Sequence, residues 1–151
     1  MKLLQNLIKL ISLVDKNDKI TITSSTKNLH LVRQFIEKKG ESLKIDPKVL
    51  NQILVSVDEA CTNIIKHNYK YNENNFIDVE TNVKDKQFIV TLIYKGDSFD
   101  PTKKINPDMK EYFAKYKVGG LGIPLMKKSM DKIEFYHKEP NLNSLVLVKV
   151  I

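Results

Sequence analysis

Between residues 3 and 14, Leu3, Leu4, Leu7, Ile8, Leu10, Ile11 and Val14 recur at spacings of three and four, with Lys2, Gln5, Asn6, Lys9 and Ser12 between them. That period predicts an amphipathic helix, able either to dock on its own domain or to pair with a copy of itself or a partner helix. Asp15 to Asp18 break the pattern as a polar hinge. Ile20 and Ile22 then alternate with polar residues over 19–23, as a half-buried strand does. After Ser24, Ser25 and Thr26, which offer N-caps, Leu29, Val32, Phe35 and Ile36 return to helical spacing. Gly40 reads as the stop of that helix.

Asp46 before Pro47 is a cap and first-turn pair. It opens a long helix whose apolar positions Ile53, Val57, Ala60, Cys61 and Ile64 gather on one side, with His67 near its end. A polar loop at 68–75 leads to two alternating segments, 76–83 and 87–94, joined by a turn at 84–86 and read as a hairpin. Residues 95–101 form a turn-rich exit. A long lysine-rich connection follows at 102–118, with a short helical segment conceivable at 109–113. Gly119, Gly120 and Gly122 precede another helix, with Pro124 in its first turn and Leu125, Met126 and Met130 on its inner face. Strands at 132–137 and 145–151, joined by a turn region at 140–144, close the chain as a second hairpin. The expected class is α+β: a two-layer α/β sandwich with helices on one face of a mostly antiparallel mixed sheet. The expected division is an N-terminal helix and hinge at 1–17 and one domain at 18–151.

Composition narrows the picture less than pattern does. A chain of 151 residues that is 42% hydrophobic supports one core. The net charge of +7 is spread through scattered lysines; it favours an acidic partner, phosphates or nucleic acid without choosing among them. No aromatic-interleaved basic stripe or zinc-finger pattern points to nucleic acid, so none is expected as a partner. No run reaches the roughly 20 apolar residues of a membrane span, and a cytoplasmic location without membrane attachment is the expectation. Cys61 is the single cysteine. It excludes an internal disulfide and, lying on the apolar helix face, reads as a small buried hydrophobe.

Glu59 and Asn63 stand four residues apart on the long helix. At about 100° per residue they share a face, roughly opposite the apolar one. A carboxylate and an amide so placed are either a solvated helix face or an acid/base group beside a hard oxygen ligand suited to magnesium. The cluster Gly119, Gly120, Leu121, Gly122 directly precedes a helix. It is either a flexible helix entry or a cradle whose free backbone N–H groups meet phosphate oxygens.

The order of these features carries a resemblance. Residues 58–67, running from Asp58 through Glu59 and Asn63 to His67, are followed by a hairpin, by Gly96 to Pro101, by the long connection, and by Gly119 to Asp131. This is similar to the histidine-kinase-like ATPase (Bergerat) domain of the gyrase, histidine kinase and MutL (GHKL) superfamily. More closely it resembles the anti-sigma-factor serine/threonine kinases of bacterial partner-switching systems, over about residues 19–151. The segment around Glu59 and Asn63 corresponds to that family's N-box. Phe99 to Pro101 match the end of its first glycine box, and Gly119 to Asp131 its second glycine box and following helix.

The resemblance implies that Glu59 is the general base activating an acceptor hydroxyl and that Asn63 is the protein's magnesium ligand. It implies that Gly96 belongs to the first glycine box, and that Gly119, Gly120, Leu121 and Gly122 wrap the phosphates of ATP, with Lys117 or a lid lysine as charge partner. The implied cofactors are ATP and Mg2+. The implied partners are a sigma factor and a STAS-type anti-sigma antagonist, with the chain itself a homodimer. One position departs from the family. Where an aspartate stands two residues before the glycine and accepts the adenine amino proton, this chain has Tyr94. A neutral phenol does not reproduce a carboxylate acceptor. Its ring either occupies the base pocket or closes a core that ATP does not enter. Asp97, across a glycine turn, could substitute only in a rebuilt loop. Two functions stay open: an ATP- and magnesium-dependent serine/threonine protein kinase, and a non-catalytic regulatory module of the same fold with weak or no ATP binding.

Overall fold

The computed structural model describes residues 2–5, 18–97 and 122–151. The expected helix at 3–14 lies outside these beyond residue 5. Residues 2–5 are helical, with Leu3 and Leu4 exposed. The connection at 102–118 and its short helical segment also lie outside.

Among the described residues five strands form one sheet: β1 (Lys19–Thr23), β2 (Phe76–Lys84), β3 (Gln87–Lys95), β4 (Lys132–Lys138) and β5 (Leu142–Val150), in the order β1-β2-β3-β5-β4. All four pairings are antiparallel. Alternation sends one set of side chains to a single face, including Ile22, Ile77, Val79, Phe88, Val90, Leu92, Leu145 and Leu147, all buried. Among the described residues the helices α1 (Leu29–Ser42), α2 (Pro47–Asn63) and α3 (Gly122–Ser129) supply much of the other half of the core through Val32, Ile36, Ile53, Val57, Cys61 and Met126. This is the expected two-layer α+β sandwich. α2 is the middle helix, packed against both α1 and α3.

Local chemistry explains the joints. The Asp46 carboxylate accepts from Lys48 N–H at 2.9 Å and caps α2, with Pro47 in its first turn. The β2–β3 hairpin turns on Asp85 and Lys86, both at positive φ (51° and 61°), the backbone signature of a tight two-residue hairpin turn. Among the described residues no helix is long and apolar enough to cross a membrane.

Four details correct the sequence reading. Gly40 does not stop α1; it lies buried inside the helix, against Leu50. The stop comes at Lys44, which takes φ 55° while Ile45 N–H reaches back to the Gly40 carbonyl (3.0 Å) and Lys44 N–H to that of Glu41 (3.0 Å). That is a Schellman closure built without glycine, sealed by buried Ile45. Leu125 is not on the inner face of α3 but 42% exposed, while Met126 and Met130 are buried. Residues 142–144 belong to β5 rather than to a turn, because Leu142 pairs with Lys95 and Asn143 with Tyr94. Finally, α2 ends at Asn63, and a π-helical turn, Ile64–Asn68, carries His67.

Candidate functional site

Glu59 and Asn63 lie on α2 as the spacing requires, each half-buried, while Ile53, Val57, Ala60, Cys61 and Ile64 are buried on the core side. Burial, and after it the neighbouring Asp58 carboxylate, hold the Glu59 carboxyl above its ordinary value. Asp58 is itself turned toward α1, where its carboxylate accepts from Arg33 Nη1 at 2.6 Å. Among the described residues Glu59 itself makes no ion pair.

Asn63 occupies the last α-helical position. Its side-chain Nδ2 is buried with no hydrogen-bond partner among the described residues. Buried side-chain polar atoms are ordinarily satisfied; among the described residues Ser56 Oγ and Thr81 Oγ1 are left unmet in the same way. The backbone beyond Asn63 widens into the π turn, where Tyr69 N–H bonds to the Ile64 carbonyl at 3.1 Å. Such turns often occur at functional positions. Among the described residues no cluster of three or more His, Cys, Asp or Glu could hold a metal ion. A magnesium ion here would depend on Asn63 together with phosphate oxygens and water, the usual mode for that ion.

Gly96 follows β3 with φ 149°, a conformation that favours glycine. A Cβ there would meet Asn68 Nδ2 at 2.9 Å, so the π turn packs directly on it. Gly96 N–H bonds to the Asn141 carbonyl at 2.9 Å, and the Asp97 carbonyl accepts from Asn143 Nδ2 at 3.1 Å. Tyr94 is 2% exposed and part of the core cluster. Of the second glycine box, Gly122 opens α3; Gly119, Gly120 and Leu121, with Lys117, lie outside the described residues. The structure therefore brings Gly96 against the π turn that continues from Asn63.

Two participants were missed from the sequence. Asn143 is fully buried and shared between Asp97 and His137 Nδ1 (2.7 Å). Its signal was a polar residue in inward phase with Leu145 and Leu147, hidden by the turn-like composition around it. Tyr69, read as part of a polar loop, is buried and hydrogen-bonded to both β2 and β3. Nothing local announces a hydroxyl that bridges two distant strands.

A two-layer fold whose middle helix carries Glu59 and Asn63 beside a glycine turn fits the class of nucleotide-binding ATPase domains. A family model described as "Histidine kinase-like ATPase domain" matches residues 22–149, and the chain belongs to that family, in its anti-sigma-factor-kinase-like group. Among curated relatives, the "Serine-protein kinase RsbW" of Staphylococcus aureus is 39% identical over 93 residues, 58% of each chain. That of Bacillus subtilis (strain 168) is 33% identical over 89 residues, 56% of this chain and 55% of the relative. That of Listeria monocytogenes is 30% identical over 141 residues, 89% of this chain and 88% of the relative. The match thus spans a little over half of the first two and most of the third. A solved structure, "The crystal structure of SiaB-SiaC complex from Pseudomonas aeruginosa", superposes with a TM-score of 0.62 over 98% of this chain and 99% of the other. At 14% identity it shows the shared fold.

Proposed function

We propose that this protein is an ATP- and magnesium-dependent serine/threonine protein kinase of a partner switch, which binds a sigma factor and phosphorylates a small STAS-type anti-sigma antagonist. The observation that carries the reading is the pair on α2: a half-buried Glu59 with a raised pKa, one helical turn before Asn63, whose side-chain Nδ2 has no partner among the described residues. Glu59 takes the proton of the acceptor hydroxyl as transfer proceeds, and a carboxyl with a raised pKa is the stronger base once ionised. Asn63 would offer its side-chain oxygen to a magnesium ion, which when bound would supply charge neutralisation for the phosphates. Gly96 allows close approach of the base end, and Gly119, Gly120, Leu121 and Gly122 wrap the phosphates. The RsbW relatives, serine-protein kinases by name, and the complex in which SiaB is held with SiaC, support a protein as the acceptor and partner. A homodimer in the cytoplasm, binding neither membrane nor nucleic acid, completes the proposal.

The test is transfer of labelled phosphate from ATP, with magnesium, to a candidate antagonist. Label is expected with the parent chain and lost in both Glu59→Ala and Asn63→Ala. No label with any of the three refutes kinase activity toward that antagonist.

A second reading is favoured by one observation: Tyr94 is buried in the core at the position where the family carries its adenine-binding aspartate. On that reading the chain is a non-catalytic regulatory module that keeps the partner surface and binds ATP weakly or not at all. Calorimetry with ATP and magnesium separates the two. Micromolar binding abolished by Asn63→Ala rules out the second reading, and binding created only by Tyr94→Asp establishes it.

A further inference from the structure

The ladder between β2 and β3 ends at Asp78 opposite Ile93, although the strands run on to Phe76 and Lys95. Continuing the register would set Phe76 opposite Lys95, with the Lys95 N–H aimed at the Phe76 carbonyl. The Tyr69 hydroxyl stands in that place. It accepts from Lys95 N–H at 2.8 Å and donates to the Phe76 carbonyl at 2.9 Å. The rung is lengthened by one oxygen atom rather than lost. β2 and β3 part at the end of the sheet from which Gly96 leaves, while β3 stays paired with β5 as far as Lys95 and Leu142.

Three successive residues at this exit are anchored from three places. Lys95 N–H rests on Tyr69, Gly96 N–H on the Asn141 carbonyl, and the Asp97 carbonyl on Asn143. Only the first anchor comes from the segment that holds Asn63, since Tyr69 closes the π turn that follows it. We propose that Tyr69 is a positioning residue, whose bridging hydroxyl fixes the Lys95–Gly96 turn relative to Asn63 and so sets the spacing between two nucleotide-contacting parts of the site. The proposal rests on the nucleotide-binding reading above. Burial raises the phenol above its ordinary value, against the opposing Lys95 hydrogen bond, so the hydroxyl retains the proton it donates.

Tyr69→Phe removes one atom and both hydrogen bonds. In calorimetry of the full chain with ATP and magnesium, the variant is expected to bind at least about tenfold more weakly than the parent. Amide exchange at Lys95 is expected to accelerate in the same variant. 4-Aminophenylalanine at position 69, whose amine can donate and accept in place of the hydroxyl, is expected to restore both. Asp46→Ala, which removes a helix cap remote from Gly96, controls for general loss of stability and is expected to keep the parent affinity. Binding by Tyr69→Phe within about twofold of the parent overturns the proposal, as does equal weakening by Asp46→Ala. If Tyr69→Phe does not fold, the aminophenylalanine chain decides: parent affinity supports the role, and a folded chain without affinity overturns it. A parent chain that takes up no nucleotide defeats the nucleotide reading and this inference with it, whereas a binding parent with an indifferent Tyr69→Phe defeats this inference alone.

Discussion

Asp58 directly precedes Glu59, and its carboxylate stands second only to burial in raising the Glu59 pKa, while Arg33 of α1 holds that same carboxylate at 2.6 Å. The proposed base and its like-charged neighbour are therefore coupled, and α1 moderates the coupling. Phosphoryl transfer is expected to rise with pH as Glu59 ionises, because only the carboxylate accepts a proton. Asp58→Asn removes the like charge and is expected to move that acid limb to lower pH. Arg33→Ala, which leaves Asp58 uncompensated, is expected to move it higher. Rate profiles from pH 4 to 8 check both directions, and identical limbs in all three chains would uncouple Asp58 from Glu59.

The same raised pKa has an opposite sign for stability. The folded state holds the Glu59 proton more tightly than the unfolded chain, so this group's contribution is lost as pH rises from the unfolded carboxyl value through the folded one. Glu59→Gln is therefore expected to raise the melting temperature at pH 7 while lowering the transfer rate by about 10²–10⁴-fold. Thermal scans at pH 4 and pH 7 should show the gain only at the higher pH.

Gly40 supports α2 from within α1. A Cβ at this position would overlap the Leu50 side chain, which is buried. The clash costs about 1–3 kcal/mol, against the roughly 1 kcal/mol that alanine gains in a helix interior. Gly40→Ala is expected to destabilise by about 1 kcal/mol in urea titration. In a Leu50→Ala background the clash is gone, and the same substitution is expected to stabilise.

Cys61 is buried, and burial, with a smaller push from Asp58, drives its thiol up to about 12. Iodoacetamide at pH 8 is expected to leave the native chain unlabelled and to modify it fully in denaturant. Because the unfolded thiol ionises near its ordinary value and the folded one does not, stability is also expected to fall as pH rises from about 9 toward 12. Cys61→Ser, with no thiol to ionise, should flatten that alkaline loss.

Periodicity made the fold legible wherever side chains report on one neighbour. Ile20 and Ile22, the β2–β3 alternation, the Asp46–Pro47 start and the shared face of Glu59 and Asn63 all follow from spacing along one element. Gly40 failed because a glycine that ends a helix and a glycine that lets a second helix approach have the same local sequence; only Leu50 tells them apart. Leu142 to Ser144 have turn composition, but pairing with β3 draws them into the sheet. The site divided in the same way. Glu59 and Asn63 were readable because i and i+4 are neighbours on any helix, whereas Tyr69 acts on Phe76 and Lys95, seven and 26 residues on, and Asn143 acts 46 residues away on Asp97.

Asn63 makes the sharpest prediction, because its proposed binding role and its effect on stability oppose each other. Its buried Nδ2 lacks a partner among the described residues, and an unmet buried donor costs about 1–3 kcal/mol. Asn63→Ala removes that group along with some packing, so its stability is expected to match the parent or exceed it by about 1 kcal/mol. The same change deletes the protein's proposed magnesium ligand, and affinity for ATP in magnesium is expected to fall by at least about a hundredfold. Chelation with EDTA should bring the parent close to the variant's affinity and leave the variant unchanged. A variant that instead lost stability and still bound ATP with magnesium would show that the amide serves the fold, and the role of metal ligand would pass to another group.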